Sequence, residues 1–213
     1  MSETGGWSAV LAPLVADSLG ADASHDLAHF ARVWRLGRAI AADEGGDLEV
    51  IEAAAWLHDL VNPPKDSPER ARASRLSAAA ALPILRQAGF PAAKHQAVAH
   101  AIEAHSFSAG IAPETLEARI VQDADRLEAL GAIGIARCFC VSGQMGAALF
   151  DPDDPLAARR PRDDRRYALD HFETKLFRVA ETLHTEAARR LAAPRVDRMR
   201  RFVGALIEEI GAD

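Results

Sequence analysis

The run Val50-Ile51-Glu52-Ala53-Ala54-Ala55-Trp56-Leu57 is apolar enough to be buried as a helix, and it ends on His58-Asp59. Ile51, Ala54, Ala55 and His58 follow the i, i+3, i+4, i+7 spacing, which places His58 on the buried face. An ionisable side chain on a core-facing helix position is costly unless a partner compensates it. Two other segments repeat the pattern. Upstream lies His25-Asp26-Leu27-Ala28-His29, and downstream Asp123-Ala124-Asp125-Arg126-Leu127 puts acids on another mostly apolar helix. One divalent cation would compensate all of these groups at once. The chain is therefore expected to fold as helices converging on a metal.

Composition agrees with a helical fold. Ala is abundant, runs rich in β-branched residues are few, and 49% of the 213 residues are hydrophobic. Such a chain is long enough to bury a sizeable core and too apolar for wholesale disorder. The formal charge of −6 lacks the broad basic excess that long nucleic acids select. Arg residues concentrate at 159–166 and 189–201, where solvated helix faces are the ordinary reading. Cys138 and Cys140 sit two apart on a predicted helix and point in different directions, so they are expected to be buried, reduced thiols. No charged n-region followed by an apolar stretch opens the chain, and no apolar run is long enough to span a membrane. A cytoplasmic protein without membrane contact is expected.

The punctuation of the sequence gives the elements. A helix is predicted over 7–19 and a second after Ser24, a good N-cap, with His29, Val33 and Leu36 in line. Gly45-Gly46-Asp47 opens the His58 helix, and Asn62-Pro63-Pro64 closes it. Residues 65–72 are polar. A helix over 74–88, interrupted near Pro83, stops at Gly89. On the next, over 91–105, Val98, Ile102 and His105 share a face while His100 points elsewhere. Pro113 is placed as an N1 proline of a helix running to about 141. Residues 143–166, rich in Asp, Pro, Gly and Arg, read as a long surface loop ordered by substrate or a partner. Two helices close the chain, the last with an apolar stripe of Val196, Met199, Val203, Leu206, Ile207 and Ile210. There is no internal repeat and no strand alternation. The expected fold is all-α, with 1–213 as one domain: a core over about 25–142, the loop, and C-terminal helices over 167–211 packed on the same core.

His29, His58, Asp59 and Asp125 are the economical donor set. Two imidazoles and two carboxylates suit one borderline divalent ion, Mn²⁺ first, with Fe²⁺, Co²⁺, Ni²⁺, Zn²⁺ or Mg²⁺ as alternatives. Such an ion polarises a phosphoryl oxygen and generates hydroxide near neutral pH, which points to a metal-dependent hydrolase. Periodicity does not choose between Asp123 and Asp125, since both lie at the edges of an apolar stripe. Asp26, one turn before His29, is a candidate general base. His105 is a candidate contact to phosphate or to the metal water. Lys65 and Arg70 follow the metal helix as candidate catalytic cations on phosphate, Arg70 with bidentate geometry. Asn62 either orients a ligand or stops the helix. His171 and Lys175, one turn apart, are candidates to close over substrate, against an ordinary surface pairing.

Taken together, His29, His58-Asp59 and Asp125 resemble the H…HD…D signature of the HD-domain phosphohydrolases. His25-Asp26-x-x-His29-x-x-Arg32-Val33, His58-Asp59-x-x-Asn62, Ala104-His105-Ser106-Phe107, Val121-Gln122-Asp123-Ala124-Asp125-Arg126-Leu127 and Asp170-His171-Phe172-Glu173-Thr174-Lys175-Leu176 are similar to one bacterial subgroup of nucleotide pyrophosphohydrolases. The resemblance spans most of residues 25–210. It implies an HD-type helical bundle, Asp125 as the final ligand, and a nucleotide substrate cleaved from triphosphate to monophosphate and pyrophosphate. Nucleoside monophosphate phosphatase and guanosine tetraphosphate hydrolase use the same chemistry, and a metal-bound nucleotide sensor or scaffold is the non-enzyme alternative. A homodimer is compatible with the chain. No GYP-type extension pointing to cyclic dinucleotides follows the His58-Asp59 pair.

Overall fold

The computed structural model describes residues 6–16, 27–61, 63, 67, 69–106 and 109–211. The long elements among them are all helices: α1 Ser8–Ala16, α2 Leu27–Glu44, α3 Leu48–Leu57, α4 Ala73–Gln87, α5 His95–His105, α6 Leu116–Glu128, α7 Gly131–Gln144, α8 Phe177–Glu181 and α9 Glu186–Ile210. The expected all-α class holds. The extended pairing among these residues is a single parallel bridge between Ala148 and Tyr167. The chain packs as two compact units, Met1–Asp125 and Arg126–Asp213.

In the first unit α3 is the central element, packed against α1, α2, α4 and α5. Its start is fixed by Asp47, whose carboxylate accepts from the backbone N–H of Glu49 and Val50. Every residue from Val50 to Leu57 is buried, Glu52 included. That buried carboxylate is compensated locally: it accepts from the Ser8 backbone N–H at 2.8 Å and from the Ser8 hydroxyl, which in turn accepts from Trp56 Nε1 at 2.8 Å. Just past the end of α3, the buried Ser77 hydroxyl accepts from the Val61 N–H (3.0 Å) and donates to the Val61 carbonyl (3.3 Å). One side chain of α4 thus pins the segment that follows His58-Asp59.

Three elements differ from the sequence expectation. Helix α4 runs through Pro83 without interruption. Pro83 and Ala79, whose carbonyl the proline leaves without its N–H partner, are both exposed, so the proline falls on the solvent side of the helix, where the lost bond costs least. Helix α6 begins at Leu116 rather than at Pro113, with the Thr115 hydroxyl accepting from Ala118 N–H at 3.2 Å. The single helix expected to about 141 is two helices. Gly131 adopts φ 75°, and a Cβ at Gly134 would lie 2.1 Å from the Ala129 carbonyl oxygen. The chain turns there because only glycines allow the left-handed residue and the close backbone approach.

In the second unit α7 and α8 pack on α9. The long loop before α8 is ordered by its own side chains. Arg160 donates to both oxygens of the buried Asp170, at 2.6 and 2.9 Å, and the Asp163 N–H donates to the same carboxylate at 2.7 Å. A bidentate guanidinium–carboxylate pair of this kind is the strong form of the interaction. Cys138 is buried, but Cys140 is exposed, correcting the expectation of two buried thiols. Two residues along a helix turn the side chain through about 200°, onto the other face.

Candidate metal centre

Three helices and one helix end in the first unit bring five side chains together. His29 comes from α2, His58 and Asp59 from the end of α3, His105 from the last turn of α5, and Asp125 from α6. His29 and His58 are fully buried and His105 nearly so. The Nε2 atoms of His29 and His58 lie 3.2 Å apart. Asp125 Oδ1 sits 3.6 Å from His29 Nε2 and 3.7 Å from His58 Nε2. Asp59 faces two ways: Oδ2 is 3.9 Å from His58 Nε2, and Oδ1 is 3.3 Å from His105 Nε2. Two overlapping donor groups result, His29–His58–Asp125 and His58–Asp59–His105, each with its ligand atoms within 4.8 Å of one another.

The other nitrogens fix the orientation of two rings. His58 Nδ1 lies 2.9 Å from the Ala55 carbonyl, and His105 Nδ1 2.6 Å from the Ile102 carbonyl. A carbonyl only accepts, so each Nδ1 carries a proton and each Nε2 faces the centre, with a lone pair there when the ring is neutral. Phe30, fully buried, meets the His58 ring edge-on at 5.3 Å and stacks on Trp56 at 6.4 Å, walling this side with apolar surface.

Imidazole lone pairs and carboxylate oxygens converging in a buried space repel one another unless positive charge lies between them. Protons supply it in the absence of an ion. Burial opposes the imidazolium, yet the charges of Asp59 and Asp125 raise the His58 pKa from 6.5 to about 9. Burial likewise favours neutral Asp125. The close approach and charge of His58, with the charges of His29 and His105, nevertheless hold that carboxyl well below its usual range. A divalent cation satisfies the same demand with one charge centre, and this mixed N/O donor set fits one. Binding must then displace the His58 proton. Below about pH 9 the apparent Mn²⁺ affinity is expected to fall by about tenfold for each pH unit of acidification. Calorimetric titration at about pH 8 and about pH 6 should differ by about 100-fold; equal affinities would contradict the proton displacement.

The geometry separates residues that the sequence left level. Asp125 faces the imidazoles, whereas Asp123 is fully buried and belongs to neither donor group. His105 joins the cluster, but His100 accepts from the Glu114 backbone N–H at 3.1 Å instead. Arg70 lies in a short 3-10 turn, Arg70–Arg72, and donates to the Pro63 carbonyl at 3.3 Å. In the second unit His171 Nδ1 is 2.8 Å from Asp164 Oδ2, which also accepts from the Thr174 hydroxyl, and Lys175 is exposed. Asp26, Asn62 and Lys65 lie outside the described residues. Pattern reading did not single out Ser77 or Gln122, whose side chains bond to backbone of other elements. The one available signal was that Gln122 lies a helical turn before Asp125.

A sequence model described as the HD domain matches residues 26–130. The uncharacterized protein YpgQ of Bacillus subtilis is 34% identical over 190 residues, covering 87% of this chain and 84% of YpgQ. The crystal structure of YpgQ in complex with ADP matches with a TM-score of 0.76 at 31% identity, over 96% of this chain and 95% of that one. An HD-superfamily hydrolase from Bacillus thuringiensis matches with a TM-score of 0.73 at 33% identity, over 95% and 96% of the two chains.

Proposed function

The chain belongs to the HD-domain family and is a hydrolase of that superfamily, and from this premise we propose that it cleaves nucleoside triphosphates to the monophosphate and pyrophosphate. Members of the family hold a divalent metal. The proposed ligands are His29, His58, Asp59 and Asp125, and the proposed ion is Mn²⁺, with Fe²⁺, Co²⁺, Ni²⁺, Zn²⁺ or Mg²⁺ as substitutes. When bound, such an ion lowers the pKa of a water and polarises a phosphoryl oxygen.

The protein's own part is to hold these donors in register. The Nδ1–H of His58 on the Ala55 carbonyl keeps the Nε2 lone pair aimed at the centre. His105, held in the same way by Ile102, places its Nε2 beside Asp59, where it is the proposed contact to phosphate or to the metal water. Phe30 and Trp56 exclude bulk water from one side, which strengthens every charge interaction within. Arg70, bound to the segment after Asp59, and Lys65 on the same segment are the proposed partners of the β- and γ-phosphates. Asp26 is the proposed general base and Asn62 a substrate contact, with His171 and Lys175 as further contacts. In this reading the enzyme works in the cytoplasm on free nucleotides, as a monomer or a homodimer.

The observation that carries the nucleotide assignment is the ADP in the YpgQ complex, a relative matched over almost the whole chain. The test is turnover of a panel of nucleoside tri-, di- and monophosphates with Mn²⁺, with products separated by chromatography. The expected first products are the monophosphate and pyrophosphate. Orthophosphate as first product, or turnover of monophosphates alone, would move the assignment to a phosphatase. No turnover with metal bound would favour a nucleotide sensor.

A further inference from the structure

Resting on the metal-centre reading above, we propose that Gln122 is a positioning residue that sets His105 against the metal ligands. Helix α5 ends at His105, and the carbonyls of a last helical turn have no partner within the helix. Here side chains close two of them. His105 Nδ1 takes the Ile102 carbonyl, and Gln122 Nε2 donates to the Ala104 carbonyl at 2.5 Å. The direction is fixed, because a carbonyl only accepts and the amide must therefore present its nitrogen.

Gln122 is itself buried, and it lies one turn before Asp125 on the same face of α6. A single buried amide thus joins the peptide next to His105 to the helix that carries Asp125. His105 in turn faces Asp59 Oδ1 at 3.3 Å. The chain of contacts runs from α6 through the Ala104 carbonyl to His105 and on to Asp59. In such a low-dielectric setting a lost donor leaves the carbonyl unsatisfied, and the end of α5 shifts to find water. The displaced group would be the imidazole held two bonds further along the backbone.

A merely structural glutamine and a positioning one differ in how their loss combines with loss of His105. Gln122→Met keeps the side chain's length and removes the donor. In the full-length protein, Gln122→Met is expected to weaken Mn²⁺ binding about tenfold, the scale of outer contacts to metal ligands. His105→Ala is expected to weaken it as well. In the His105→Ala background the further loss from Gln122→Met should shrink to less than about twofold, because the residue through which Gln122 acts is gone. Calorimetric Mn²⁺ titration of all four proteins gives the cycle, with circular dichroism checking the fold. Gln122→Leu, apolar and of similar size, repeats the cycle if the Met variant does not fold. Equal losses in both backgrounds would overturn the proposal, as would wild-type affinity in Gln122→Met or His105→Ala. His58→Ala, titrated alongside, separates the two levels. If His58→Ala keeps wild-type Mn²⁺ affinity, the metal-centre reading itself fails. If it loses the metal while the cycle is additive, only the role of Gln122 fails.

Discussion

His58→Ala is expected to abolish metal binding and to lower hydrolysis by at least about 10³-fold, while the helical fold persists. The size follows from the several kcal/mol that a bound cation contributes to a phosphoryl transition state. His58 is the residue shared by both donor groups, so no rearrangement of the remaining four side chains restores either. Asp59→Ala should behave alike, because its two oxygens face His58 and His105 separately. The fold is expected to survive both changes. Asp59 keeps part of its side chain exposed, and loss of His58 forfeits one hydrogen bond and some packing against Phe30, a cost of about 1–3 kcal/mol. Circular dichroism, metal content and turnover measured on one preparation check the prediction. Full activity in a metal-free variant contradicts it.

The second large effect ranks two acids on one helix. Asp125→Asn is expected to weaken Mn²⁺ binding at least about 100-fold, since the negative charge beside two buried imidazoles disappears while the shape remains. Asp123→Asn should change Mn²⁺ affinity by less than about threefold. Its side chain lies about 200° around the helix from that of Asp125, and any cost should appear as lost thermal stability. Titrating Mn²⁺ into both variants decides the matter, and the reverse order would move the final ligand to Asp123.

This ranking illustrates what the sequence makes legible. Helical spacing put His58, His29 and His105 on buried faces, and the structure finds all three side chains buried. A buried polar group on an apolar stripe is visible in one dimension. The choice between Asp123 and Asp125 was not, because it depends on which edge of α6 meets α2 and α3; the family pattern, not the periodicity, pointed to Asp125. The break between α6 and α7 was missed for a related reason. Gly131 and Gly134 look like ordinary small residues in an apolar run until the Ala129 carbonyl comes to lie against one of them. Gln122 was missed because its partner is a backbone carbonyl 18 residues away, and such a bond leaves no periodic trace. Arg70 was legible as a cation that follows the metal helix, but its 3.3 Å bond to the Pro63 carbonyl was not, because a side-chain bond to a backbone carbonyl leaves no periodic trace.

The central claim is hydrolysis of a nucleoside triphosphate by water attacking the α-phosphorus, and isotope placement tests it most directly. The wild-type protein is incubated with a nucleoside triphosphate and Mn²⁺ in ¹⁸O-labelled water, and the products are separated and weighed by mass spectrometry. The account predicts one ¹⁸O atom in the nucleoside monophosphate and none in the pyrophosphate. Label in pyrophosphate, or labelled orthophosphate with nucleoside diphosphate, would contradict it.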